Sequence, residues 1–322
     1  MIAIDARAAV RPELGGVERW ARELCARLPY RIRAPRPRLV HRAGHAWEQF
    51  ALPLQSARDE VLLCPANLAP VAARNAVVIL HDAAPLRHPE WYSGAYAAWQ
   101  RTLLPVIARR ARRVITVSHF SRDELRELLG VEASVVHGGV DARFFDAVPV
   151  RRERPYVLCV ASLTARKNLG ALSAAVGALA REGVELVVAG GHRPQFAAEA
   201  GLEGLVLLGH VPDAQLPGLY AGAEAFVLPS VYEGFGLPVL EAMAAGTPVV
   251  AADTTALPDT CGDAARLVAP EPEPLRDALL ALLGDREERT RLTALGRERA
   301  RGFTWERTAR EVDAICREVA RE

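Results

Sequence analysis

Short apolar runs alternate along the chain with stretches whose apolar residues recur at helical spacing, an alternation that predicts parallel α/β organisation. In the first half, MIAIDA (1–6), VLLC (61–64), VVILH (77–81), RVITVS (113–118) and SVVH (134–137) read as strands. Amphipathic stretches at 17–28, 97–111 and 121–129 read as helices, with Pro105 marking a kink or a start in the second. The segment DAVPVRRERP (146–155) is charged, carries two prolines and has no periodicity, which predicts a linker. The rhythm then restarts with YVLCVAS (156–162), VELVVAGG (184–191), LVLLG (205–209), AFVLPS (225–230), PVVAAD (248–253) and ARLV (265–268). Further helices are expected from about Leu169, near 213–221 and 237–245, and after Pro274 with interruptions near Gly284 and Gly302. Two doubly wound parallel sheets with a cleft between them are therefore predicted. Ligands of such sheets lie beyond the carboxyl ends of the strands, so chemistry is sought in the residues just after each strand.

Length supports two units, because 322 residues exceed the roughly 250–300 at which a single core stops growing. Half the residues are hydrophobic and a quarter charged, an ordinary soluble balance. No apolar run approaches the ~18 residues of a membrane span, and the start MIAIDARAAV does not read as an export signal. The expected location is the cytoplasm. Five cysteines without metal-ligand spacing read as reduced thiols, which argues against structural zinc.

The net charge of +1 conceals an asymmetry. Residues 1–150 carry 21 arginines against 15 carboxylates, and residues 151–322 carry 19 cations against 24 carboxylates. Positive charge concentrates in RIRAPRPRLVHR (31–42) and ARRARR (108–113). Solvated surface arginine explains these clusters; attraction to an anionic membrane surface or a phosphorylated acceptor is the sharper reading. Neither cluster is interleaved with aromatics, so nucleic acid is not an expected partner.

Lys167, in TARKNLG (164–170), is the only lysine in the chain; the other 39 cations are arginines. In so arginine-biased a sequence, a solitary Lys points to a position needing a compact point charge in place of a planar fork. Three strand-to-helix junctions carry further candidates. In ELGGVERW (13–20), Gly15 and Gly16 would let backbone approach a phosphate at a helix start, although a tight turn explains them equally well. In HDAAP (81–85), His81 stands at a strand's carboxyl end as a donor or base, or else as a structural His beside a capping Asp. The third junction, PSVYEGFGLPVLEAMAAGTPVVAAD (229–253), is the most specific. Glu233 and Glu241 bracket seven residues, with Gly234 and Gly236 in a loop and Leu237 to Ala245 helical. Glycines there expose N–H groups at a helix start, and the two carboxylates are too far apart to share one contact, so each can grip one end of an extended ligand.

That segment resembles the E-x7-E signature of the family-4 glycosyltransferases, retaining enzymes of the GT-B fold: α/β, with two Rossmann-like doubly wound domains facing across a cleft. The likeness extends through LGHVPDAQLPGLYAGAEAFVLPS (208–230), CGDAARLVAP (261–270) and FTWERTARE (303–311), and in the first half through WEQFALP (47–53), ILHDAAPLRHPEWYS (79–93) and RRVITVSHFSRDEL (112–125). These last stretches look like the bacterial mannosyltransferase branch that builds surface polysaccharides. The resemblance implies an acceptor-binding domain at 1–150, a nucleotide-sugar domain at 151–303 and a final helix, 304–322, packed back on the first domain. It places Glu233 by the donor sugar, Glu241 on the ribose hydroxyls, and the backbone of Phe235, Gly236 and Leu237 on the sugar and phosphates. Arg166 and Lys167 fall in the family's basic segment, where the Lys contacts the donor pyrophosphate. Gly16 matches a glycine near the pyrophosphate, His81 the histidine lining the sugar site, and Ser118 a serine of the cleft.

Departures from the family pattern are Gly138 in place of an asparagine and Ala161 in place of a glycine before the basic segment. No D-x-D motif occurs, which agrees with a metal-independent reaction needing no cofactor beyond the nucleotide-sugar substrate, GDP-mannose or a UDP-sugar. The expected function is transfer of a hexose, foremost mannose, to a glycan, lipid-linked or small-molecule acceptor. The rivals are another GT-B activity (a UDP-sugar transferase, phosphorylase or synthase) and a non-catalytic partner subunit. Peripheral contact with the inner membrane face is the expectation attached to the basic first half.

Overall fold

The computed structural model describes residues 1–11, 15–36, 44–191 and 201–322. Glu13 and Leu14 of the first glycine junction, and residues 37–42 of the first basic cluster, lie outside the described residues. The chain forms two compact units. The first comprises Met1–Pro89, Gly94–Gly139 and Trp305–Glu322, the second Glu90–Ser93 and Val140–Thr304. The proline-containing stretch 146–155 thus lies inside the second unit, where the Val150 N–H donates to the Gly218 carbonyl at 2.9 Å.

The first unit is built on a six-stranded sheet, β1 (Ile2–Asp5), β2 (Arg31–Arg33), β3 (Val61–Cys64), β4 (Ala76–Leu80), β5 (Arg113–Thr116) and β6 (Ala133–Val135). Its order is β2-β1-β3-β4-β5-β6, and every pairing is parallel. β3 and β4 are buried throughout, as near-continuous apolar runs require when helices cover both faces. β2 is absent from the apolar pattern because it is a three-residue Arg-Ile-Arg edge strand with two exposed residues. Its arginines are partly accounted for by the buried Asp59, which accepts from Arg33 Nη2 at 2.8 Å. The helix Gly94–Arg110 runs through Pro105, so that proline is neither its start nor its end. The helix Trp305–Arg321 packs on Gly16–Arg27: the Trp20 and Trp305 rings meet edge-on at 5.5 Å, and the Tyr30 hydroxyl donates to Asp313 Oδ1 at 2.7 Å.

The second unit repeats the architecture with β7 (Tyr156–Val160), β8 (Glu185–Ala189), β9 (Val206–Gly209), β10 (Ala225–Leu228), β11 (Val249–Ala252) and β12 (Arg266–Val268). The order is β12-β11-β10-β7-β8-β9, again with parallel pairing throughout. Successive strands are laid down on one side of β7 and then on the other, so the order reverses between β7 and β10. A crevice opens at such a switch point, where the connections leave in opposite directions.

Gly190, just past β8, holds φ +148°, and a Cβ there would lie 1.9 Å from the Ala161 carbonyl oxygen just past β7. Neither backbone can move without breaking the Ala161 N–H bond to the Ala189 carbonyl at 3.0 Å. Gly190→Ala is therefore expected to cost ~2 kcal/mol or more, read as a lower urea midpoint at unchanged slope.

Candidate functional site

The chain leaving β7 turns through a short 3₁₀ segment, Ala165–Lys167, and Asn168 closes the turn in the left-handed region at φ +54°. The Asn168 side-chain amide donates to the carbonyls of Pro229 (3.0 Å) and Pro270 (2.8 Å), and the Val231 N–H donates to the Arg166 carbonyl at 3.0 Å. These bonds tie the turn after β7 to the loop after β10, so the reversal in strand order places residues 66 positions apart in contact.

Glu233 lies at the meeting point, 5% exposed. Lys167 Nζ donates to its Oε1 at 2.5 Å, and Arg166 Nη1 lies 3.8 Å from its Oε2. The charge that the solitary lysine meets within the protein is thus a buried carboxylate. Burial opposes ionisation of Glu233, but the charges of Lys167 and then Arg166 outweigh it and hold the carboxyl below its ordinary range. Burial in turn pulls Lys167 below the usual lysine value, against the attraction of Glu233. Two cations around one anion leave a local charge of +1 in a poorly solvated place, which favours an anionic ligand.

The loop continues to Gly236, which caps the helix Leu237–Ala245 with φ +101° and ψ +42°. A Cβ at Gly236 would also meet Leu257 Cδ2, the end of a flexible side chain, at 2.8 Å, so it is the backbone conformation that requires glycine. Pro238 sits in the first helical turn, where its missing N–H leaves no bond unmade. Glu241, inside this helix and buried, accepts from the Tyr220 hydroxyl at 3.0 Å. The two carboxylates therefore have separate partners within the protein.

The remaining candidates belong to the first unit, at the carboxyl ends of its strands. Gly15 caps the helix Gly16–Arg27, and its N–H donates to Glu18 Oε2 at 3.1 Å. His81 follows β4, with Nε2 2.8 Å from the Pro65 carbonyl. A carbonyl only accepts, so Nε2 carries the hydrogen and Nδ1 is the acceptor. Burial lowers the His81 pKa and keeps the ring neutral. Ser118 follows β5 and caps the helix His119–Leu129, accepting from the Ser121 N–H at 3.0 Å; the Ser121 hydroxyl donates to the His81 carbonyl, also at 3.0 Å. Asp82 accepts from the Ala84 N–H at 3.1 Å. In the second unit Arg166, Lys167 and Glu233 meet, with Gly234, Phe235, Gly236 and Leu237 following Glu233 and Glu241 on the helix they lead into; in the first, Gly15 and Gly16, His81 and Ser118 lie in the segments after β1, β4 and β5.

Sequence reasoning missed Tyr220, which donates to Glu241, and Thr255, whose hydroxyl accepts from the Glu233 N–H; neither carries a local signal.

Two doubly wound parallel sheets, the second bearing a basic turn and Glu233 at its switch point, are the architecture of the GT-B fold. Solved structures share the fold. Sucrose-phosphate synthase from Thermosynechococcus elongatus superposes over 99% of this chain and 98% of its own with a TM-score of 0.79 at 20% identity. Anabaena HepE in complex with UDP and glucose covers 98% of both chains with a TM-score of 0.74 at 16% identity. Residues 26–144 match the model described as Glycosyltransferase Family 4, and residues 154–285 that of Glycosyl transferases group 1. The O-antigen chain mannosyltransferase B of Escherichia coli is 31% identical over 293 residues, 84% of this chain and 76% of that protein. The chain belongs to glycosyltransferase family 4. It is a glycosyltransferase of the GT-B type. Among the described residues, no helix is long and apolar enough to cross a membrane.

Proposed function

We propose that the protein is a retaining, metal-independent hexosyltransferase that moves mannose from GDP-mannose to a glycan, lipid-linked or small-molecule acceptor. The observation that carries this reading is the buried Lys167–Glu233–Arg166 cluster at the switch point of the second sheet, with its excess positive charge. Likeness to a mannosyltransferase supports the sugar.

In this reading Arg166 and Lys167 stabilise the charge that develops on the departing nucleoside diphosphate. Lys167 Nζ has three donors, of which the Glu233 bond uses one. Gly236 and the helix start behind it receive phosphate or sugar oxygens, and Glu241 takes the ribose hydroxyls. Glu233, clamped in its ionised form, suits binding a sugar hydroxyl better than attacking the anomeric carbon. Retention then follows from departure and attack on one face, with the leaving phosphate accepting the acceptor's proton. His81 offers the sugar a neutral ring whose Nδ1 accepts, and Gly15, Gly16 and Ser118 are the further donor contacts of this reading. The protein works in the cytoplasm, and its arginine-rich first half favours peripheral contact with an anionic membrane.

A UDP-sugar reading is favoured by one observation, the fold shared with HepE in complex with UDP and glucose. Thermal melts with GDP, GDP-mannose, UDP and UDP-glucose separate the two. A ligand at 100 times its dissociation constant adds roughly 2.7 kcal/mol. Guanosine ligands are expected to raise the melting temperature of the wild type and not of Glu241→Ala. A shift by uridine ligands alone replaces the donor, and no shift by any nucleotide points to a non-catalytic subunit.

A further inference from the structure

The loop carrying Glu233 is held from the side by hydroxyls of the segment after β11. Thr254 Oγ1 donates to the Ser230 carbonyl at 2.9 Å, Thr255 Oγ1 accepts from the Glu233 N–H at 3.0 Å, and Thr260 Oγ1 donates to the Phe235 carbonyl at 2.5 Å. Thr255 differs from the other two in its backbone. Among the described residues, three that are not glycine have positive φ: Asn67 at 63°, Asn168 at 54° and Thr255 at 51°. Asparagine tolerates this region, whereas for a β-branched residue it is an outlier. Glycine would adopt the same φ without strain. It would also remove the hydroxyl that meets the Glu233 amide. Strain of this kind persists where surrounding structure enforces it, and it concentrates at functional sites.

We infer that Thr255 is a positioning residue for sugar transfer. Its left-handed backbone aims the hydroxyl at the Glu233 N–H, fixing the main chain from which the carboxylate reaches Lys167 and Arg166. The inference rests on the proposed role of Glu233 at the donor sugar. Thr255 acts through Glu233, whose N–H its hydroxyl meets.

Thr255→Gly separates strain from function, because it relieves the backbone while deleting the hydroxyl; Thr255→Ser keeps the hydroxyl. Two measurements are made on the full chain, with Glu233→Gln alongside: hydrogen exchange of the Glu233 amide, and transfer kinetics with whichever nucleotide sugar shifts the melting temperature. In Thr255→Gly the Glu233 amide is expected to exchange about tenfold faster, the loss of one hydrogen bond. Its kcat is expected to fall about 10- to 100-fold with donor KM little changed, as for a misplaced catalytic group, and its melting temperature to match or exceed the wild type's. Thr255→Ser is expected to retain both amide protection and rate. Unchanged Glu233 exchange in Thr255→Gly overturns the inference, as does a wild-type transfer rate or equal loss in the Ser and Gly variants. A lower melting temperature with full rate per folded molecule marks Thr255 as merely structural and also overturns it. Should Glu233→Gln transfer at the wild-type rate, the reading of Glu233 fails and this inference with it; a slow Glu233→Gln beside a normal Thr255→Gly sinks the inference alone.

Discussion

Lys167→Met is expected to slow sugar transfer by about 10²- to 10³-fold, the loss that follows removal of one preorganised donor to a developing negative charge. The same change should destabilise the fold, since breaking a buried pair leaves an uncompensated charge and costs about 3–5 kcal/mol. The lower end applies, because Arg166 stays 3.8 Å from the Glu233 carboxylate and keeps it partly paired. Activity and stability can then be separated by a second substitution. Lys167→Met with Glu233→Gln removes the close pair and leaves the Arg166 charge, on a side chain 17% exposed, so urea unfolding should show part of the stability regained while kcat stays low. Stability regained together with activity would show that neither Lys167 nor Glu233 serves the reaction. The pH dependence gives an independent check. Glu233 has a folded pKa below its ordinary 4.5, so it contributes stability that is present above about pH 4.5 and lost as pH falls through the folded value. Lys167→Met lifts that folded pKa and should flatten the acid limb of the stability curve.

The parallel α/β class was legible because β3, β4, β7, β10 and β11 are short apolar runs sunk in the core between amphipathic helices. β2 was not, since an edge strand of Arg-Ile-Arg has no apolar period and its arginines read as a charge cluster. Within the site, Gly236 was legible as a glycine exposing N–H groups at a helix start, whereas the reason the structure adds is the left-handed backbone of the cap. The pairing of Lys167 with Glu233 was not. Uniqueness flagged the lysine and spacing flagged the glutamate, but the two meet only because β7 and β10 are sheet neighbours, a fact of topology that no local window contains. Thr255 is the extreme case, because threonine announces no positive φ and its value lies in a hydroxyl aimed 22 residues back along the chain. Ser118 was flagged for ligand binding, and its local work is to cap the helix His119–Leu129.

The carboxylate that closes β1 carries the second large expected effect. Asp5 is almost fully buried and accepts from the Arg7 N–H at 2.9 Å, while the Arg7 guanidinium lies 3.2 Å from the wholly buried Glu48. Arg7 thus serves two buried carboxylates, with Arg11 adding a weaker pull on Asp5. Burial, and after it the Glu48 charge, raise the Asp5 pKa from 3.8 to about 7 against the pull of Arg7. In the folded protein Asp5 keeps its proton up to about pH 7, whereas in the unfolded chain it is lost near 3.8, so the folded state binds more protons across that range. Stability must fall as pH rises through it, by roughly 4 kcal/mol in all. Asp5→Asn cannot ionise, and its amide oxygen can still accept from Arg7. The variant should match the wild type near pH 4 and exceed it by an increasing margin toward pH 8, measured as the difference between urea midpoints at each pH. The neighbouring thiols of Cys25 and Cys64 are both held protonated, chiefly by burial, and do not contribute to that difference. Parallel curves for the two proteins would mean that Asp5 is ionised in the fold with Arg7 as its full counter-ion. A divergence that grows with pH would show that the first strand ends on a neutral acid, leaving Arg7 to Glu48.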